Sequence, residues 1–202
     1  QKPSQNLVNA FKTENGLPMF NTYNNSDFNT ASDNADPRLF HTVAMVGYPY
    51  KYDYRVFGTD WSRNPGVYGY YSSLNRETEA LPLINAVRQR AKDSMSKIPY
   101  AGEVADIALY QDGVNCTWTN SFARNAVRWE RRLELAMECQ RFFDLVRWGI
   151  ADQVMNTYYK EESTKRAYYE AAYFDKNKEE YVPVPQQQIN FSKGVYKQNN
   201  NY

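Results

Sequence analysis

The sequence predicts a mostly α-helical fold with long irregular loops, on the basis of two helical patterns and one stretch that lacks a helical period. After Glu79, apolar residues recur at the three-and-four spacing of one helix face: Leu81, Leu83, Ile84, Val87 and Ala91. The longest pattern runs from about Ser121 to Trp148 and ends near Gly149, a residue suited to a helix C-cap. The stretch 48–71 is rich in Tyr with Gly and Pro among them, which indicates a loop.

The first third of the chain is predicted from its capping and turn signals. Ser4 suits the N-cap of a short amphipathic helix, which we expect the Asn15-Gly16 turn signal to end. Residues 21–36 are mostly Asn, Asp, Ser and Thr and predict a loop. Asp36 then begins a more ordered piece.

The segments between and after the two patterns have weaker signals. Residues 43–46 favour a brief strand or a buried turn, and residues 101–112 are ambiguous. The helical pattern continues over Ala151 to Ala172. The tail over residues 182–185 is predicted to be extended, because each proline disfavours the α region for the residue before it.

Composition limits the classes of partner. The 202 residues include 24 Lys and Arg and 23 Asp and Glu, a formal net charge of +1 that offers no electrostatic basis for binding nucleic acid or an anionic membrane. The chain holds 18 Tyr, 10 Phe and 4 Trp, yet its mean hydropathy is −0.78. No apolar run approaches the ~18 residues that would span a bilayer. An aromatic-rich but hydrophilic chain suits a neutral, hydroxyl-rich ligand.

The sequence assembles no reaction centre, so we predict neither an enzyme nor a cofactor. Its single histidine, His41, has no evident catalytic partner and is expected to be packed or at the surface. The Asp and Asn residues over 27–36 lack the Gly and terminal Glu of an EF-hand, so no metal site is predicted. Cys116 and Cys139 form no CxxC pair, and Cys139 is expected to be buried in a helical pattern.

The longest helical pattern carries one charged stripe. At about 100° per residue, Glu130, Glu134, Glu138 and Arg141 fall within about 80° of one another. Since apolar residues fill most of the remaining circumference, we expect neighbouring elements to cover this stripe and its charges to pair internally. Catalytic carboxylates are disfavoured, because arginines such as Arg131 would lower the pKa that a general acid needs to be high.

The candidate ligand site is the aromatic stretch 48–71 together with a tryptophan in a second loop. A sugar ring stacks its C–H face on an aromatic plane, while its vicinal hydroxyls pair with Asn, Asp or Arg side chains. The candidates for these roles are Tyr52, Asp53, Tyr54, Arg55, Trp61, Tyr68, Tyr70, Tyr71 and Trp118. The alternative, that the tyrosines pack over the scaffold, stays open. The aromatic residues of the long pattern are assigned to helix packing: Trp129, Phe142, Phe143 and Trp148.

Four parts of the chain resemble one known family in the order in which the family has them. They are Lys2–Gly16 with Asp36–Leu39, then Ile84–Ala91, then Arg131–Gly149, and finally Val182–Tyr202. Arg131–Gly149 is the most distinctive, and the tail pairs a proline-spaced segment with an end similar to QNPGY. On these residues the chain resembles the SusD/RagB family of nutrient-binding lipoproteins from Bacteroidetes-type bacteria.

The resemblance implies a fold, a role and partners. Tetratricopeptide-like helix pairs would form the scaffold, and irregular loops would carry the ligand site. The protein would be a surface lipoprotein of the outer membrane that binds a glycan, such as an oligosaccharide or starch-like polysaccharide, and delivers it to a SusC-like TonB-dependent transporter. Membrane contact would be only through an N-terminal lipid anchor, which this chain lacks. A RagB-like peptide binder and a helical-repeat scaffold for protein interaction are alternatives.

The chain also departs from the family pattern. Members are longer, so residues 1–202 are expected to be the C-terminal part of one SusD/RagB-like domain. The family helix expected before Ile84 is absent, which predicts a missing segment near residues 75–79. The last five residues read Gln-Asn-Asn-Asn-Tyr rather than QNPGY.

Overall fold

Helices form most of the regular structure, as the sequence predicts. A computed structural model of the protein describes residues 4–43, 77–97 and 104–202. Contacts within the chain divide it into two units, Gln1–Glu138 and Cys139–Tyr202.

The first unit combines four helices with a small sheet in its described residues. Its elements are α1 (Gln5–Asn9), β1 (Lys12–Glu14), β2 (Leu17–Pro18), β3 (Asn34–Ala35), α2 (Arg38–Thr42), α3 (Glu77–Asp93) followed by a 3₁₀ turn (Ser94–Lys97), and α4 (Asn120–Glu134). The sheet has the order β2-β1-β3 with both pairs antiparallel. Thr13 faces Pro18 on one side of β1, and Lys12 faces Ala35 on the other.

The N-terminal prediction is right about the cap and wrong about the length of the helix. The Ser4 hydroxyl accepts a hydrogen bond from the Leu7 N–H at 3.2 Å, so Ser4 is the N-cap of α1. Asn15 and Gly16 have φ angles of 51° and 74° and turn β1 into β2. A two-residue hairpin turn whose twist matches that of its two strands requires positive φ at both residues. This dipeptide therefore closes a hairpin rather than ending a helix.

The long pattern from Ser121 to Trp148 is not one helix. α4 begins after Thr119, whose hydroxyl caps the Phe122 N–H at 3.3 Å, and it ends at Glu134. Met137 and Cys139 then adopt φ angles of 67° and 61°, which lie outside the right-handed helical region. Because the helix ends early, Cys139 is exposed, contrary to prediction.

The core of the first unit forms around two faces of α4. One cluster gathers Phe11, Leu39, Trp129 and Leu133, and the other gathers Ile84, Tyr110, Trp118, Ala123, Ala126 and Val127. Trp129 is buried, as expected, and the rings of Phe20 and Tyr23 meet it edge-on with centroids 5.4 and 5.0 Å away. The apolar spacing of α3 is confirmed, since Ile84, Val87 and Ala91 are buried.

The second unit has its own smaller core. Its elements are α5 (Arg141–Arg147), α6 (Ala151–Ser163), a 3₁₀ turn (Ala167–Tyr169) and α7 (Gln186–Phe191). Leu145, Ala151 and Phe174 form the buried cluster. The helix predicted to reach Ala172 ends at Ser163. Phe143 was assigned to helix packing but is 65% exposed, because it lies on the short α5 rather than inside a long buried helix.

Two glycines test whether close packing or backbone conformation matters more in the first unit. Gly16 and Gly113 share a φ of 74°, but a Cβ at Gly16 would lie 2.4 Å from the Ala108 nitrogen, while a Cβ at Gly113 would meet nothing within 4 Å. We expect Gly113→Ala to cost about 1 kcal/mol of unfolding free energy from strain alone. Gly16→Ala should cost about 1–3 kcal/mol more, because backbone must move. Urea unfolding followed by circular dichroism measures both, and equal midpoints for the two variants would contradict the close approach.

Candidate functional site

A buried carboxylate, Glu130, joins α4 to the two helices that flank the aromatic stretch in the sequence. Its Oε2 accepts from Nη2 of Arg38 on α2 at 2.7 Å, and its Oε1 accepts from Nη1 of Arg88 on α3 at 2.5 Å. The Tyr110 hydroxyl also donates to Oε1, at 3.3 Å. Helix α2 ends at Thr42 and α3 begins the next described segment. Glu130 therefore holds the helix before residues 44–76 and the helix after them.

Arg38 is held from two further directions. Its Nη2 donates to Asp36 Oδ2 at 2.6 Å and its Nε donates to Asp36 Oδ1 at 2.8 Å, a bidentate pair. Its Nη1 lies 3.4 Å from Glu134 Oε2, and Arg90 reaches the other oxygen of Glu134 at 2.5 Å. Glu130 and Glu134 of the predicted charged stripe are thus covered and paired, but their partners come from α2 and α3 rather than from their own helix. Glu138 and Arg141 lie beyond the end of α4 and do not continue the stripe.

Arg88 connects this network to the sheet. It is wholly buried, its Nε donates to the Ala108 carbonyl at 2.6 Å, and its Nη2 donates to the Gly16 carbonyl at 2.6 Å. The guanidinium carbon also lies 4.6 Å from the centroid of the Tyr110 ring. One side chain therefore ties α3 to α4, to the hairpin turn and to the segment after residue 104.

The electrostatics of the network favour an ionised Asp36 and a protonated Tyr110. Burial alone would raise the pKa of the Asp36 carboxyl, but the charge and hydrogen bonds of Arg38 outweigh burial and lower that pKa. Burial and the neighbouring Glu130 charge raise the pKa of Tyr110 well above its usual value, so the phenol keeps the proton that it donates. The carboxylates of Asp36, Glu130 and Glu134 form structural ion pairs and are therefore unsuited to acid catalysis.

The predicted ligand residues divide into two groups. Tyr52, Asp53, Tyr54, Arg55, Trp61, Tyr68, Tyr70 and Tyr71 lie outside the residues that the structure describes. Trp118 is described, and it is 6% exposed. Its Nε1 donates to the Glu77 carbonyl at 2.7 Å, and the Tyr110 and Phe122 rings lie 5.3 and 5.6 Å from its ring. Trp118 therefore packs the scaffold and presents no open ring face.

His41 and the acidic loop behave as structural residues. His41 is half-buried, with Nε2 3.0 Å from the Ser94 hydroxyl, which agrees with the packed role expected of it. Asp33, from the loop considered for calcium, accepts from the Asn29 N–H at 2.9 Å. Over residues 4–43, 77–97 and 104–202, no group of three or more His, Cys, Asp or Glu side chains is placed to hold a metal ion.

A tyrosine group in the second unit was not foreseen. The Tyr158 and Tyr169 hydroxyls lie 3.4 Å apart, Tyr159 stacks on Tyr169 with centroids 5.7 Å apart, and Tyr168 is 70% exposed. The helix predicted through Ala172 would have separated these residues. The two Tyr-Tyr doublets are the signal in the sequence that could have identified them.

The sequence of this chain matches a known protein family. The model of the SusD family matches residues 70–202. This chain belongs to the SusD family. No curated protein matches the chain.

Among solved structures, a SusD homolog from Bacteroides thetaiotaomicron VPI-5482 is 28% identical, with a TM-score of 0.49. The match covers 68% of this chain and 26% of that one, so the chain corresponds to about a quarter of that homolog's length. None of the described helices is long and apolar enough to cross a membrane.

The Glu130 network predicts a large asymmetry between two Glu→Gln substitutions in the first unit. Glu130→Gln removes the carboxylate that the buried Arg38 and Arg88 share, which should lower the unfolding free energy by about 3–5 kcal/mol. Glu14→Gln, at an exposed strand position, should change it by less than about 0.5 kcal/mol. Urea titrations followed by circular dichroism compare the two. A Glu130→Gln midpoint equal to that of the unsubstituted protein would show that the network contributes nothing.

The burial of Trp118 predicts an effect on stability and none on ligand contact. Trp118→Phe keeps an aromatic ring but loses the hydrogen bond to Glu77, which should cost about 1 kcal/mol, whereas Trp118→Ala should cost about 3–5 kcal/mol. Val114→Ala is the control, since Val114 is 78% exposed. Chemical unfolding gives these values. If Trp118→Ala were as stable as Val114→Ala, the tryptophan would not be a core residue.

Proposed function

We propose that this protein is a cell-surface binding protein of a Sus-type uptake system that captures a glycan and delivers it to a SusC-like TonB-dependent outer-membrane transporter. The observation that carries the proposal is the family match over residues 70–202. Oligosaccharides or starch-like polysaccharides are the proposed ligands. The outer surface of the cell is the proposed location, since capture must precede import.

The described scaffold supports binding rather than catalysis. Glu130, Glu134 and Asp36 are held in ion pairs with buried arginines, so none is available to transfer a proton to a substrate. A rigid, internally paired scaffold is suited to positioning a loop that binds a ligand. Such a scaffold needs no cofactor to do so.

The composition of the stretch 48–71 supports a glycan over a charged ligand. It supplies aromatic rings for stacking on the C–H face of a sugar, with Asp and Arg side chains nearby in sequence for the vicinal hydroxyls. The residues proposed to contact the glycan are Tyr52, Asp53, Tyr54, Arg55, Trp61, Tyr68, Tyr70 and Tyr71. Trp118 is withdrawn from this set, because its ring is covered in the core.

Calorimetry with the whole protein tests the proposal against a panel of plant, host and microbial oligosaccharides and a panel of peptides. We expect at least one oligosaccharide to bind. Trp61→Ala should weaken that binding about tenfold or more, a loss of ~1.4 kcal/mol or more, because a stacking face is removed. Tyr173→Ala, at a residue that is 74% exposed in the second unit, is the control and should bind normally.

Peptide binding without any glycan binding would replace this proposal with a RagB-like function. Binding of neither ligand class, together with capture of a protein partner, would favour a scaffold for protein interaction. Glycan binding that Trp61→Ala leaves unchanged would keep the function and move the site.

A further inference from the structure

Side-chain hydrogen bonds, rather than β-strand pairing, attach the last five residues to the segment 177–184. Pro183 and Pro185 lack an N–H, so Val184 between them has the only backbone donor of these three positions. The Gln198 side-chain amide pairs with both backbone groups of Val184: Oε1 accepts from the nitrogen at 2.8 Å, and Nε2 donates to the carbonyl at 3.0 Å. One glutamine side chain therefore makes the two hydrogen bonds that a neighbouring strand would make.

The side chains of Asn199, Asn201 and Tyr202 continue this attachment. Asn199 Nδ2 donates to the Val182 carbonyl at 2.7 Å. The Tyr202 hydroxyl lies 2.9 Å from the Tyr181 carbonyl and 3.2 Å from the Lys178 carbonyl. The tail is thereby held along the segment.

A solvent-open pocket of about 690 Å³ is lined by residues of both strips of chain. Its volume is within the range of ~300–1,000 Å³ that is usual for ligand pockets. The lining residues are Asn177, Tyr181, Asn199, Asn200 and Asn201. Four amides and one phenol make a lining that is polar and carries no charge.

Most of the polar atoms in this lining are not used within the protein. The side-chain amides of Asn177 and Asn200 and the Tyr181 hydroxyl make no hydrogen bond among the described residues. Asn199 and Asn201 donate their NH₂ groups to backbone carbonyls, at 2.7 and 3.4 Å, which leaves their Oδ1 atoms as acceptors. The cavity therefore offers both donors and acceptors to a ligand.

The chemistry of the lining selects for one class of ligand. An amide places a donor and an acceptor side by side, which matches two neighbouring hydroxyl groups, each of which can both donate and accept. The Tyr181 side chain is 56% exposed and can lie against the C–H face of a ring. A charged ligand would find no countercharge in the lining, so a neutral polyhydroxylated molecule fits best.

We infer that this cavity is a second sugar-binding subsite, formed by the asparagine side chains and Tyr181 and distinct in sequence from the aromatic stretch 48–71. It takes one neutral sugar residue. The inference rests on the proposed glycan-binding function, and it places part of the recognition in the C-terminal unit.

Nuclear magnetic resonance of the whole protein tests the inference directly. With ¹⁵N labelling, the side-chain NH₂ signals of Asn177, Asn199, Asn200 and Asn201 are followed during titration with D-glucose, D-galactose, D-mannose, D-xylose and N-acetyl-D-glucosamine. We expect these signals to shift and saturate with at least one sugar. Tyr181→Ala should raise the apparent Kd about tenfold. Tyr196→Ala is the matched control, since Tyr196 is also 56% exposed and lies outside the lining, and it should leave the Kd unchanged.

The outcomes separate this inference from the proposed function. If none of the sugars shifts the asparagine signals while calorimetry still detects oligosaccharide binding, the subsite is wrong and the function stands. If neither experiment detects a sugar, both fail. Equal affinities for Tyr181→Ala and Tyr196→Ala would also overturn the subsite. Saturable shifts that persist in Trp61→Ala would establish it as independent of the aromatic stretch.

Discussion

The first unit depends on the pairing of one buried carboxylate with two buried guanidinium groups. Glu130 accepts from Arg38 and Arg88 through different oxygens, so α2 and α3 are both fixed to α4 at one point. Removing ions from water is costly, and the cost is recovered only when the geometry satisfies all the donors. Arg88 meets this condition with Glu130 on one side and the carbonyls of Gly16 and Ala108 on the other.

The directionality of this network gives the scaffold a specific arrangement. Apolar side chains tolerate many packings of similar volume, whereas a bidentate pair such as Arg38 with Asp36 accepts few. Gly16 illustrates the precision required, because its carbonyl receives Arg88 while its Cα lies against the backbone of Ala108. Helices held in this way keep Thr42, at the end of α2, and Glu77, at the start of α3, in a fixed arrangement.

The two units use different means to hold their chain together. The first unit uses buried charge and apolar clusters, whereas the second unit has a small core around Leu145 and Phe174 and relies on side-chain amides to hold its tail. Asn156 pairs with both backbone groups of Phe174, at 2.7 and 3.1 Å, in the same way that Gln198 pairs with Val184. Amides can replace a strand partner because each carries one donor and one acceptor side by side. The abundance of Asn and Gln in this part of the sequence therefore has a structural basis.

The sequence by itself determined the helical class, the Ser4 cap, the apolar face of α3 and the family resemblance that residues 70–202 confirm. These features depend on residue spacing and capping, which involve only residues close together in the sequence. Only the tertiary structure decided that α4 ends at Glu134, because no Gly or Pro marks the break and Met137 and Cys139 supply the left-handed turns. Likewise, Trp118 was a ligand candidate because it lies in a loop of the sequence, and its burial depends on α3, whose Glu77 and Ile84 are more than 30 positions away in the chain. The asparagine-lined cavity is also a tertiary feature, since its walls come from residues about 20 positions apart that no periodic pattern links.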